Sequence, residues 1–121
     1  MTEFEIIQKC ATIFENLGWD VRTEEIFELG RKNPFRFDMI LRHNGEVYGF
    51  VEVINRDNLK ERAEKILEVL SSVVGDLKPK VFIITNGFSF DVYHFGKFYG
   101  SLTVPPTPED VDILFGGEDD V

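Results

Sequence analysis

The chain has 121 residues, a single cysteine, and 13 basic side chains against 22 acidic ones, a formal charge of −9. That length suits one domain, and a lone cysteine excludes a disulfide framework or a multi-cysteine zinc site. Twelve phenylalanines within a 13% aromatic content exclude a disordered chain, because that much apolar surface drives packing.

Residues 3–17 read as a helix with Phe4, Ile7, Ala11, Phe14 and Leu17 on one stripe and Gly18 as its stop. Cys10 sits beside that stripe and reads as core packing. Trp19 to Leu29 is an extended stretch, and Gly30 to Pro34 a turn-prone basic loop. Phe37–Arg42 and Val47–Ile54 are β-rich runs flanking His43-Asn44-Gly45-Glu46, a hairpin signal. Asn55 or Asp57 caps a second helix to about Val74, with Leu59, Ala63, Ile66, Leu67, Leu70, Val73 and Val74 at helical spacing and Gly75 as its stop.

Lys80–Thr85 is a compact apolar strand whose unbroken Val81-Phe82-Ile83-Ile84 predicts burial on both faces. Asn86-Gly87 turns the chain into a final hairpin, Phe90–Phe95 and Phe98–Thr103 around Gly96 and Lys97. Thr107-Pro108-Glu109-Asp110 opens a short helix with a Thr cap and Pro in its first turn. Val111, Ile113, Leu114 and Phe115 are expected to form one apolar patch, and residues 116–121 a disordered end. The element order α-β-β-β-α-β-β-β predicts an α/β (α+β) three-layer fold, a central mixed sheet flanked by helices.

No run approaches the roughly 20 apolar residues of a membrane helix, and the acidic N-terminus lacks the pattern of a signal peptide. The expected compartment is the cytoplasm. Residues 109–121 hold six acids (Glu109, Asp110, Asp112, Glu118, Asp119, Asp120) and no base, so residues 1–108 are far closer to neutral. Residues 31–65 are locally basic, with Arg31, Lys32, Arg36, Arg42, Arg56, Lys60, Arg62 and Lys65. Global acidity speaks against a sequence-independent nucleic-acid binder but leaves room for a local basic groove. Arg31, Lys32 and Arg36 are the candidate nucleic-acid contacts, the alternative being a solvated loop. A flexible acidic tail is expected to compete with phosphates for that surface, so that truncation after Thr107 would raise DNA affinity at low salt.

The candidate chemistry lies on the central hairpin. Asp38 interrupts Phe37-Asp38-Met39-Ile40-Leu41, and Glu52 interrupts Phe50-Val51-Glu52-Val53-Ile54. An acid within a buried strand is costly unless paired or bound to a cation. Two acids on facing strands are a donor set for Mg²⁺. The competing reading pairs them with Arg36, Arg42 or Arg56 on a half-exposed sheet face. Register decides: a plain two-residue Asn44-Gly45 turn puts Asp38 and Glu52 on opposite faces, whereas an odd-length loop or a bulge puts them on the same one. The metal reading places the pair at the sheet edge near the second helix.

The ordered set Arg36-Phe37-Asp38-Met39-Ile40-Leu41, a glycine-containing hairpin, Phe50-Val51-Glu52-Val53, a helix, and Val81-Phe82-Ile83-Ile84-Thr85-Asn86-Gly87 followed by Phe90-Asp91-Val92-Tyr93 resembles one nuclease group. It is similar to the N-terminal endonuclease domain of type I restriction enzyme R subunits, in the PD-(D/E)XK superfamily, over about residues 3–103. The resemblance implies a restriction-endonuclease-like domain over 1–104, with 105–121 as a Pro-rich turn, short helix and acidic tail. It implies Mg²⁺ held by Asp38 and Glu52 and Mg²⁺-dependent DNA hydrolysis in a restriction or DNA-processing setting. The family's lysine two residues after the Glu is absent, since Ile54 stands there, and Arg56 or Lys60 is the candidate replacement. The alternative is a catalytically decayed module that binds nucleic acid or protein. The Phe-rich final hairpin with the 111–115 patch is a candidate surface for a protein partner or homodimer.

Overall fold

A computed structural model describes residues 2–23, 26–27, 35–55, 79–95 and 97–116, with backbone only at 26–27 and 35–36. Helix α1 spans Glu3–Asn16. Its start is fixed by a capping box: the Glu5 N–H donates to Thr2 Oγ1 (3.2 Å) and the Thr2 N–H to Glu5 Oε1 (3.0 Å). These bonds hold the Glu5 carboxyl below its ordinary range. The chain leaves α1 through Gly18 at φ 103°, a left-handed conformation that glycine adopts without strain. The buried stripe is Ile6, Ile7, Cys10, Ala11 and Phe14, so it takes in Ile6 and Cys10 and leaves Phe4 exposed.

Among the described residues eight strands follow: β1 Asp20–Thr23, β2 Ile26–Phe27, β3 Phe35–Arg36, β4 Met39–His43, β5 Glu46–Val53, β6 Val81–Thr85, β7 Phe90–His94 and β8 Lys97–Leu102. The extended stretch predicted from Trp19 thus divides in two. β1 joins the main sheet, whereas β2 pairs with β3 in a separate two-stranded sheet. The main sheet runs β1-β4-β5-β6-β7-β8. It is mixed: β5 and β6 are parallel and every other neighbouring pair is antiparallel. The helix predicted to Val74 lies outside the described residues.

Alternation sorts the side chains into two layers. Met39, Leu41, Val51, Val53, Val81, Ile83, Phe90 and Val92 join the α1 stripe in one core, where Phe14 meets Phe90 edge to face at 6.0 Å. On the opposite face Ile40, Phe50, Phe82, Ile84 and Tyr93 are also buried, so both faces of the sheet are covered. β6 is buried at every position, as its unbroken apolar run predicts. Gly49 permits the closest approach between strands, because a Cβ there would collide with the Val81 carbonyl.

Helix α2, Pro108–Phe115, is capped by Thr107 and Asp110 in a second capping box. The predicted apolar patch divides here. Val111 and Phe115 enter the core, whereas Ile113 and Leu114 face solvent. A helix lying on a surface buries positions four apart and exposes those between. Trp19 Nε1 donates to the Pro106 carbonyl (2.9 Å), and Phe115 stacks on His94 at 4.3 Å. Lys80 lies 4.6 Å over the Tyr48 ring and 3.9 Å from the Asp112 carboxylate. Burial, then the Asp112 carboxylate, pushes the Tyr48 hydroxyl above its ordinary range.

Residues 105–116 are therefore packed onto the body, and truncation after Thr107 removes core side chains along with the negative charge. Phe115 is 6% exposed and Ile113 79% exposed. Phe115→Ala should cost about 3 kcal/mol in urea unfolding, and Ile113→Ala less than about 0.5 kcal/mol.

Cys10 is fully buried, and desolvation raises its thiol above the ordinary range. Its thiolate is disfavoured in the folded chain at neutral pH, and a thiol reagent reaches it only through opening. Native-state labelling should run roughly a thousandfold or more slower than labelling in denaturant, in line with folding equilibria of about 10³ and above.

Candidate carboxylate site

The β4–β5 hairpin turns through two residues, Asn44 (φ 52°) and Gly45 (φ 81°), both left-handed as a tight hairpin turn requires. From that turn His43 pairs with Glu46 and Arg42 with Val47, the register that would separate Asp38 from Glu52. Between Leu41 and Arg42 the ladder shifts: Leu41 pairs with Gly49, leaving Tyr48 as an extra residue. The insertion restores the even register, with Ile40 opposite Phe50 and Met39 opposite Val51. The next step brings Asp38 opposite Glu52. A short turn and a bulge together give what the sequence posed as alternatives.

β4 begins at Met39, so Asp38 lies in a bend just before it and not within a strand. The backbone ladder is replaced there by side chains. The Asp38 N–H donates to Glu52 Oε1 (3.2 Å), and the Val53 N–H donates to Asp38 Oδ2 (2.7 Å). Each acid thus holds a backbone amide of the opposite strand, and both are half-buried. The reason is local: β4–β5 pairing stops at Met39, and amides facing the gap beyond it need acceptors. Phe37 itself stacks on Phe50, centroids 3.9 Å apart.

Asp38 just precedes the second strand of the main sheet and Glu52 lies on the third, so among the described residues the pair is not on an edge strand. Glu52 stands at the C-terminal end of β5, beside Ile84 of the parallel strand β6. Ile54, two residues after Glu52, is buried, and its N–H donates to the Thr85 carbonyl (2.8 Å). Among the described residues no group of three His, Cys, Asp or Glu side chains converges as a metal site. Two carboxylates, each bonded to backbone beside the other, are nonetheless the donor chemistry a hard divalent cation takes, so the residues fit Mg²⁺.

Arg31, Lys32, Arg56 and Lys60 lie outside the described residues. Arg36 is placed by its backbone in β3, and its side chain is not among those described.

Sequence reasoning missed Asp91. It is buried at the middle of the final hairpin and accepts a bond from Ser101 Oγ (2.6 Å). The register carries it, through Ile84, to the same face as Glu52. The signal was present in the sequence, an acid inside Phe90-Asp91-Val92-Tyr93.

No family model matches the chain, and no curated protein does. Solved structures do. A fragment described as an HsdR subunit of a type I restriction enzyme from Vibrio vulnificus YJ016 superposes with a TM-score of 0.76 at 15% identity, over 100% of this chain. The fold is restriction-endonuclease-like. A cryoEM structure of a DrdV–DNA complex matches with a TM-score of 0.59 at 16% identity, over 96% of this chain. The chain spans 26% of the first structure's length and 11% of the second's. Among the described residues no helix is long and apolar enough to cross a membrane.

The reciprocal bonds separate the structural role of the two acids from their charge. Asp38→Ala leaves the Val53 amide without its acceptor and should lower stability by about 1–3 kcal/mol in denaturant titration. Asp38→Asn and Glu52→Gln keep a carbonyl acceptor in place, and each should cost less than about 1 kcal/mol.

Proposed function

We propose that this chain is a nuclease-fold module that engages DNA, with Asp38 and Glu52 as the pair that would hold Mg²⁺. The observation that carries this reading is the meeting of two half-buried carboxylates at the C-terminal end of the parallel β5–β6 pair. The likeness of the fold to an HsdR fragment and to a chain in a DNA complex supports DNA as the ligand, and the PD-(D/E)XK relationship rests on the ordered set of sequence motifs alone. When bound, Mg²⁺ supplies Lewis-acid charge to a phosphate oxygen and lowers the pKa of its water.

The chain's own residues would divide the remaining tasks. Asp38 and Glu52 would hold the cation, and backbone amides keep each carboxylate in place for it. Arg56 and Lys60 are assigned to the scissile phosphate, Arg56 as a clamp, since a guanidinium is a poor proton acceptor. Arg31, Lys32 and Arg36 are assigned to the flanking backbone. Ile54 offers no proton acceptor and no cation, so basal hydrolysis is weak or absent.

One observation favours the second reading, a decayed module that binds without cutting: both acids already act as backbone acceptors, a structural reason to persist without catalysis.

Calorimetric titration with Mn²⁺ separates the two. Saturable binding that is lost in both Asp38→Asn and Glu52→Gln supports the metal site, and no binding to the folded wild-type chain supports the decayed module. Plasmid cleavage in Mg²⁺ should be weak for wild type and increase in Ile54→Lys, with circular dichroism confirming that the buried lysine is tolerated. Robust wild-type cleavage that survives loss of both Arg56 and Lys60 would overturn the assignment of those cations.

A further inference from the structure

Thr85-Asn86-Gly87 enters the sequence reading as a turn and as part of the resemblance, with no role of its own, yet it closes the same end of the sheet as the carboxylate pair. Thr85 stands beside Val53 in the parallel register, and its carbonyl accepts from the Ile54 N–H. The turn is tied at every step. Thr85 Oγ1 donates to the Ser89 carbonyl (2.7 Å) and accepts from the Gly87 N–H (2.9 Å). Asn86 Oδ1 accepts from both the Phe88 and the Ser89 N–H (3.0 Å each). Gly87, at φ 93°, packs so tightly that a Cβ there would lie 3.2 Å from the Ile6 side chain.

This fastened turn carries Phe88, which is 68% exposed. A single exposed apolar residue on a loose loop needs no explanation. Here the Thr85 and Asn86 side chains fasten the backbone of a turn whose ring stands out in solvent. Among the described residues its ring partner is the Lys9 ammonium, 4.1 Å from the ring centroid.

The geometry points to Phe88 and Lys9 as a stacking platform for an unpaired nucleobase, with Lys9 taking the adjoining phosphate. This rests on the DNA reading above and deepens it, naming single-stranded nucleic acid as what reaches this rim of the sheet. A fixed aromatic ring accepts the flat face of any base, and an adjacent cation meets the backbone charge that comes with it. A duplex keeps its base faces stacked inside and offers a protruding ring little to stack upon. Local charge agrees with a short contact. Glu3 and Glu5 occupy the first turn of α1, and Glu5 is bound to the Thr2 cap. One lysine amid acids suits one phosphate and does not suit a tracked duplex backbone.

The test is fluorescence anisotropy with a fluorescein-labelled oligothymidylate and, separately, a labelled mixed-sequence duplex. The proteins are wild type, Phe88→Ala, Phe88→Trp and Lys9→Gln, each checked for folding by circular dichroism. Phe88→Ala should weaken single-strand binding about tenfold and leave duplex binding unchanged, and Phe88→Trp should retain wild-type affinity. Lys9→Gln should reduce the slope of log affinity against log salt by about 0.7 for the single strand. Equal single-strand affinity of wild type and Phe88→Ala overturns the platform, as does an equal loss for both probes. Wild type binding only the duplex also overturns it while leaving the DNA reading intact. Wild type binding neither probe overturns the DNA reading, and the platform with it.

Discussion

Between Leu41 and Arg42 the β4–β5 ladder takes in one extra residue, Tyr48, and that insertion decides which face every later side chain of the hairpin occupies. Side chains alternate along a strand, so a one-residue change of register reverses inside and outside. Without the bulge, the two-residue Asn44-Gly45 turn would set Asp38 and Glu52 apart on opposite faces. With it, Met39 and Val51 enter the α1 core together, and the two acids meet. Tyr48 is then buried beneath Lys80 and next to Trp19, which ties the bulge to the segment that carries α2.

The acids sit where regular pairing ends, and they replace it. Their side chains accept from amides that a continued β4 would have satisfied. A half-buried carboxylate is expensive on its own, and bonds from backbone N–H groups offset part of that cost while fixing its position. The same bonds serve structure and site at once. Presence of the two acids is therefore weak evidence for catalysis, and their charge, separable from their acceptor role by amide substitution, is the informative property. The central position of the pair follows from the mixed sheet. The parallel β5–β6 neighbours end side by side, and the Thr85 turn rises from that same end.

The C-terminal segment shows composition and packing pulling apart. Its acids mark it as a charged tail, yet Val111 and Phe115 belong to the main core and the Trp19 indole bonds to the Pro106 carbonyl. Charge patterning reports the exposed side of such a helix, and the two buried positions are what attach it.

Much was determined by sequence alone. The Thr107 cap, the Gly18 stop, the Asn44-Gly45 turn and the unbroken apolar run of β6 are local signals, set by backbone sterics and periodicity, and each appears where its residues place it. The two candidate acids were legible because a charge inside an apolar run of sequence stands out. Tertiary structure decided the rest. The bulge at Tyr48 has no sequence signature, since it arises from fitting the hairpin against Trp19 and the neighbouring strands. The division of the 111–115 patch depends on which side of α2 meets the body. Asp91 joins the face of Glu52 only through two strand pairings, β5 to β6 and β6 to β7. The alignment of Phe88 with Lys9 needs a turn and a helix separated by most of the chain. Local periodicity names what a residue does within its own element, and only the register between elements determines which residues meet.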